Sequence, residues 1–169
     1  MTHDSDSSSV SARAAGLGFV AGLRSQLPLA LLAWKAGQDR FDAGSHAPLR
    51  FLGEPIARRV LGLLAAGELV GDKLPMTPSR LSPGPFAGRL LFGGLAGAAV
   101  AAEAGRSSLL GATLGAAGAG LGAEGGYHAR VFLGRRSSLP DPVWGAVEDV
   151  VAIGLGLTLL RSTRMTPEC

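Results

Sequence analysis

The chain holds a single cysteine, Cys169, at its last position. One thiol cannot form an internal disulfide, a cysteine-based metal site or a redox pair. Without a C-a-a-X box it is not a prenylation site either. Aromatic residues make up 5% and charged residues 17% of the 169 positions, too little charge for an ordinary soluble domain of this size. The first twelve residues, MTHDSDSSSVSA, contain no lysine or arginine, so the basic start of a secretory signal is missing. No Ser-His-Asp order, glycine-rich phosphate loop or multi-ligand metal motif occurs. Neither catalysis nor a resident cofactor or metal is expected.

What the sequence has in quantity is glycine, 26 residues, within a chain that is 47% hydrophobic and has a mean hydropathy of +0.29. The glycines lack the strict third-residue period of collagen. They are interleaved with Leu, Ala and Val rather than Ser and Gln, which argues against low-complexity disorder. Small residues spaced through apolar segments are what close helix packing in lipid requires. The net charge is +3, and the basic residues flank apolar runs instead of forming one patch. That pattern anchors membrane helix ends and does not suit nucleic acid. The bilayer is the expected partner.

Residues 1–12 read as a disordered polar tail, 14–161 as one transmembrane helical domain, and 162–169 as a second short polar tail. Within the domain, five apolar segments follow one another: Ala14–Trp34, Ala57–Pro75 (initiated by Glu54-Pro55), Phe86–Ala104, Leu109–Leu133 and Pro142–Leu160. Each approaches the roughly 20 residues a helix needs to cross a bilayer. The expected fold class is therefore all-α: a polytopic membrane bundle of about five glycine-rich transmembrane helices. The glycine pairs Gly18/Gly22, Gly93/Gly97, Gly111/Gly115 and the series Gly118/Gly122/Gly126 mark faces where backbones can approach, within the chain or in a homo-oligomer.

Ionisable residues inside these segments are the candidate site. An acid or base at a bilayer centre costs about 2.5–3.5 kcal/mol, so each should face protein or trapped water. In the first segment this is Arg24, followed by Pro28, whose ring crowds the carbonyl four residues earlier. A kink or break beside Arg24 is expected. The second segment carries Glu68 and Asp72, four apart on one helix face, with Lys73 next. The fourth carries Arg130, and also Glu124 and His128, a weak metal pair that two ligands do not complete. The fifth carries Glu148 and Asp149. The simplest pairing joins Arg24 to Glu68 or Asp72 and Arg130 to Glu148 or Asp149. His46, in the loop between the first two segments, reads as solvent-exposed.

The halves echo each other. A glycine pair precedes Arg24 and another, Gly122/Gly126, precedes Arg130. Each is followed by a loop and a helix opening on an acid and a proline, Glu54-Pro55 or Asp141-Pro142. With one helix between them, two such pairs would form inverted two-helix repeats around a central helix. The basic residues divide almost evenly between the two sides, so they set no orientation.

Four pieces in order, GLRSQLPLALLA (Gly22–Ala33), ELVGDKLP (Glu68–Pro75), the Arg89 helix with Gly93 and Gly97, and VEDVVA (Val147–Ala152), resemble a bacterial family designated domain of unknown function 4126. The resemblance spans Gly16 to Leu160. It implies a multi-pass protein of the bacterial plasma membrane and transfers no activity. Two functional classes remain open: a small transporter or channel for an ion or solute, and a structural or assembly protein in which the buried pairs fix helix packing.

Overall fold

At Arg24 the chain does more than kink: it reverses. The computed structural model describes residues 2–38, 51–71 and 81–161, and there every regular element is a helix. Helix α1 (Thr2–Leu23) closes with the Arg24 N–H donating to the Val20 carbonyl, 2.8 Å. A tight turn follows, with Leu27 N–H donating to Arg24 O at 3.3 Å, and α2 (Leu27–Gln38) begins. Pro28 has no N–H to give and is fully buried; at the second position of α2 that missing donor costs nothing. The polar N-terminal stretch, expected to be a disordered tail, is helical from Thr2.

The remaining helices are α3 (Pro55–Gly71), α4 (Pro83–Glu103), α5 (Ser108–Arg136) and α6 (Asp141–Arg161). Residues 51–53 are also helical and lead into α3. Prolines in the first turns of α3, α4 and α6 are preset for helix starts. Helix α4 stops at Gly105, whose φ of 64° lets Arg106 N–H reach Ala101 O and Gly105 N–H reach Ala102 O. This Schellman closure satisfies the last carbonyls. Ser107 then caps α5, accepting from Leu110 N–H at 3.4 Å.

Contacts along α6 fix the directions. A Cβ on Gly16 would touch Leu159, Val20 packs with Ala152, and Arg24 meets Gly145 and Asp149. Eleven residues on, Lys35 is back at the other end, donating to Leu160 O at 2.8 Å. Helices α1 and α2 therefore form a hairpin, and Ala14–Trp34 is not one span. Its tip lies level with Gly145–Asp149, one to two turns inside the start of α6. The reversal also corrects the inverted-repeat expectation. Gly118 faces Ala15 and Gly122 faces Phe19, so α1 and α5 run in the same direction.

Helices α1, α4 and α5 make the core. A Cβ on Gly18 would overlap the Gly115 carbonyl, one on Gly115 the Gly93 carbonyl, and one on Gly97 the Gly111 carbonyl. The glycine faces read from the sequence thus meet one another inside the chain, and a second copy would need a different surface. Helices α2 and α6 pack around this core, filling it with Leu29, Leu32 and Leu160 against Leu17, Ala96 and Val100. Helix α3 lies outermost, mainly against α2, and buries one residue, Ala65.

Large apolar side chains point outward: Ile56 (76% exposed), Leu109 (76%), Leu121 (70%) and Val150 (71%) among them. Among the described residues, α4 and α6 are long and apolar enough to cross a membrane. Helix α3 is 17 residues long and α5, at 29, is dominated by glycine and alanine.

Gly115→Ala should destabilise the fold by about 1–3 kcal/mol or more, since overpacking a tight contact forces backbone shifts. Gly62→Ala, where a Cβ meets nothing within 4 Å, should be neutral or stabilise by up to about 1 kcal/mol through helix propensity. Denaturant unfolding in detergent, followed by circular dichroism, separates the two.

Candidate functional site

The turn between α1 and α2 gathers charge from four helices. Arg24 is 1% exposed, the end of α1 carrying it straight into the bundle. Its Nε donates to Asp149 Oδ1 at 2.5 Å, its Nη1 to Leu23 O at 3.2 Å and its Nη2 to Gly145 O at 3.4 Å. Nη2 also lies 3.9 Å from Glu148 Oε2. A buried guanidinium without a counter-charge is unstable, whereas one met by carboxylate and carbonyls is sustained. The pairing differs from the simplest sequence expectation: Arg24 is matched by the acids of α6, and Glu68 goes elsewhere.

Arg130, near the end of α5, faces the same acids from the other side. Its Nε and Nη2 grip Asp141 in a two-pronged pair at 2.8 and 2.5 Å. Its Nη1 lies 3.9 Å from Glu148 Oε2. Asp141 is the more exposed partner, its side chain 70% accessible. It opens α6, where a negative charge also complements the helix dipole. Glu148 therefore has one oxygen equally distant from two arginines. Beside it is a cavity of about 230 Å³ lined by Phe19, Leu23, Arg130, Trp144, Glu148 and Val151, among others. Trp144 is held by its Nε1–H donating to Ser137 Oγ at 2.9 Å.

Glu68, on the last turn of α3, caps α2 from outside the hairpin. Its Oε1 accepts from both Ser25 N–H and Ser25 Oγ–H at 2.8 Å, and its Oε2 accepts from Gln26 N–H at 2.9 Å. The free N–H groups of a helix start favour an anion, and hydrogen bonds to a charged group contribute about 1.5–3 kcal/mol each. Arg89, 4% exposed on α4, places Nη2 3.6 Å from the same Oε1.

Of the candidate residues, the fold brings Arg24, Arg130, Glu148 and Asp149 together. Glu68 forms a second cluster, joined to the first by the consecutive residues Arg24, Ser25 and Gln26. Asp72, Lys73 and His46 lie outside the described residues. Glu124 and His128 are exposed on α5, and the His128 ring meets Tyr127 edge-on; among the described residues no third metal-ligating side chain joins them. Four participants stand outside those candidates: Arg89, Asp141, Ser25 and Gln26. The four-residue spacing Arg89–Gly93–Gly97–Ala101 sets Arg89 on the inward small-residue face. Asp141 stands out in the sequence only as the acid that opens a helix, and Ser25 and Gln26 take part chiefly through backbone N–H groups, which sequence alone does not single out.

Arg24→Leu or Asp149→Leu alone should cost about 3–5 kcal/mol by stranding a buried charge. The double variant should cost less than the sum of the two, by a coupling of about 0.5–3 kcal/mol in an unfolding cycle.

No curated protein and no solved structure matches the chain. The model of one family, described as Domain of unknown function (DUF4126), matches residues 12–162. That stretch contains nearly all of the helical bundle and every charged residue of both clusters, and on this match the chain belongs to the DUF4126 family.

Proposed function

We propose that this is a polytopic plasma-membrane protein that passes a small ion or solute beside Glu148. In this reading α3, α4, α5 and α6 cross the bilayer and the α1–α2 hairpin enters it without emerging. The support is the number of large apolar side chains left exposed, Ile56, Leu109, Leu121 and Val150 among them, together with the burial of Arg24, Arg89 and Asp149. Irregular backbone is tolerated at membrane depth where it is enclosed by protein or lines a cavity, and broken helices of this kind build transporter sites.

The observation that carries the transport reading is the position of Glu148. It is 3.9 Å from each of two guanidiniums and opens on the 230 Å³ cavity. A carboxylate shared by two cations can exchange one for the other, or for a passing charge, with little movement. Asp149, hydrogen-bonded to Arg24, holds the hairpin while Glu148 exchanges. A second reading, that the pairs only set helix register, draws on the enclosure of Arg24 by Asp149 and two backbone carbonyls.

Proteoliposomes loaded with pH-, potential- and chloride-sensitive dyes and challenged with Na⁺, K⁺, H⁺ or Cl⁻ gradients test this. The wild-type chain should dissipate at least one gradient, and Glu148→Gln should reduce that flux at least about tenfold, a barrier change of about 1.4 kcal/mol. A flux indifferent to Glu148→Gln would remove the transport role and leave the register reading.

A further inference from the structure

Helix α3 is bound to the bundle in an uneven way. It buries Ala65 alone, and a Cβ placed on Gly62, Gly67 or Gly71 would touch nothing within 4 Å. Between its first turns and the C-terminal half of α4 runs an apolar groove of about 670 Å³, walled by Ile56, Val60 and Leu61 on one side and Leu95 and Ala99 on the other, with Leu29 at the back. The groove separates α3 from α4 where two helices of a bundle ordinarily interdigitate. At its first turns α3 leans on α2, the Arg58 guanidinium lying where a Cβ of Gly37 would be, 2.5 Å away. At its last turn the contact is polar: Glu68 takes three hydrogen bonds from Ser25 and Gln26 and faces Arg89.

We propose that Glu68 is a latch that holds α3 closed against the tip of the α1–α2 hairpin, and that loss of its negative charge lets α3 swing away from α4 and widen the groove. The inference rests on the membrane reading above but not on the nature of the cargo. Helix α3 has too little apolar packing of its own to fix its position, so the carboxylate decides between two arrangements. Two such arrangements separated by one local charge are what a switch needs. The groove would open toward the bilayer along the part of α3 that lies away from the tip carrying Arg24.

Distance measurement between spin labels tests the latch without reference to flux. In the full chain carrying Cys169→Ser, labels at Val60→Cys and Leu95→Cys, both half-exposed, span the groove. Labels at Leu95→Cys and Leu121→Cys span the α4–α5 packing as a reference. In lipid nanodiscs the groove pair should give one narrow distribution with Glu68 present. Glu68→Gln should add a population about 5 Å longer, the displacement of one helical turn, while the reference pair stays fixed. Ser25→Ala, which removes one donor to the carboxylate and keeps its charge, should shift the groove pair in the same direction by less. An unchanged groove pair in both variants would overturn the latch, and so would an equal shift in the reference pair. Either result would leave the transport reading to its own test, and flux lost without a longer distance would count against the latch alone.

Discussion

A guanidinium enclosed by helices has to be supplied with charge and hydrogen-bond acceptors, and the arrangement around Arg24 follows from that need. The acids that answer it come from α6, so α6 must lie along α1 with its second turn level with the tip. Gly145 must be small and close enough for its carbonyl to be reached. The chain must turn at Arg24 rather than continue, and the turn leaves the N–H groups of Ser25 and Gln26 without partners within their own helix. Glu68 supplies those partners and in doing so draws α3 and Arg89 to the same end of the bundle. One buried charge thus links all six helices of the described residues, α5 joining through Arg130 and Glu148.

The glycines make this arrangement compact. A large side chain at Gly18, Gly97 or Gly115 would hold α1, α4 and α5 apart, and the charged groups at the tip would lose their geometry or admit water. Packing of this type needs no hydrophobic driving force between helices, only close backbone approach. It leaves the larger apolar side chains free to face outward, as Leu121 and Val150 do. A few buried charges at the tip and an apolar exterior thus go together.

Much of this was legible in the sequence. The glycine spacings identified the contacting faces, Pro28 located the break, and the cost of intramembrane charge singled out Arg24, Glu68, Arg130, Glu148 and Asp149. Direction was not legible. A proline four residues after Arg24 leaves the same pattern whether the chain bends or reverses, and the difference decides whether the Arg24 and Arg130 segments are inverted or parallel. Pairing was not legible either, because Glu68 and Asp149 are equally plausible partners for Arg24 until the reversal is known. Arg89 lies near the start of its apolar segment, where a long charged side chain is ordinarily cheap to place; its neighbours Gly93 and Gly97 carry the information that it points inward. The Ser- and Asp-rich start of the chain has weak intrinsic helix preference, and its continuation as α1 is a case of propensity being overridden.

The claim on which the account depends is that acyl chains surround the bundle while its charges meet inside. Single spin labels at Leu63, Leu121 and Val150, in protein reconstituted into lipid, test it through their accessibility to oxygen, which concentrates in the bilayer, and to a water-soluble nickel chelate. Strong relaxation by oxygen and little by the chelate at all three positions is the predicted result. Preferential relaxation by the chelate at these positions would contradict it.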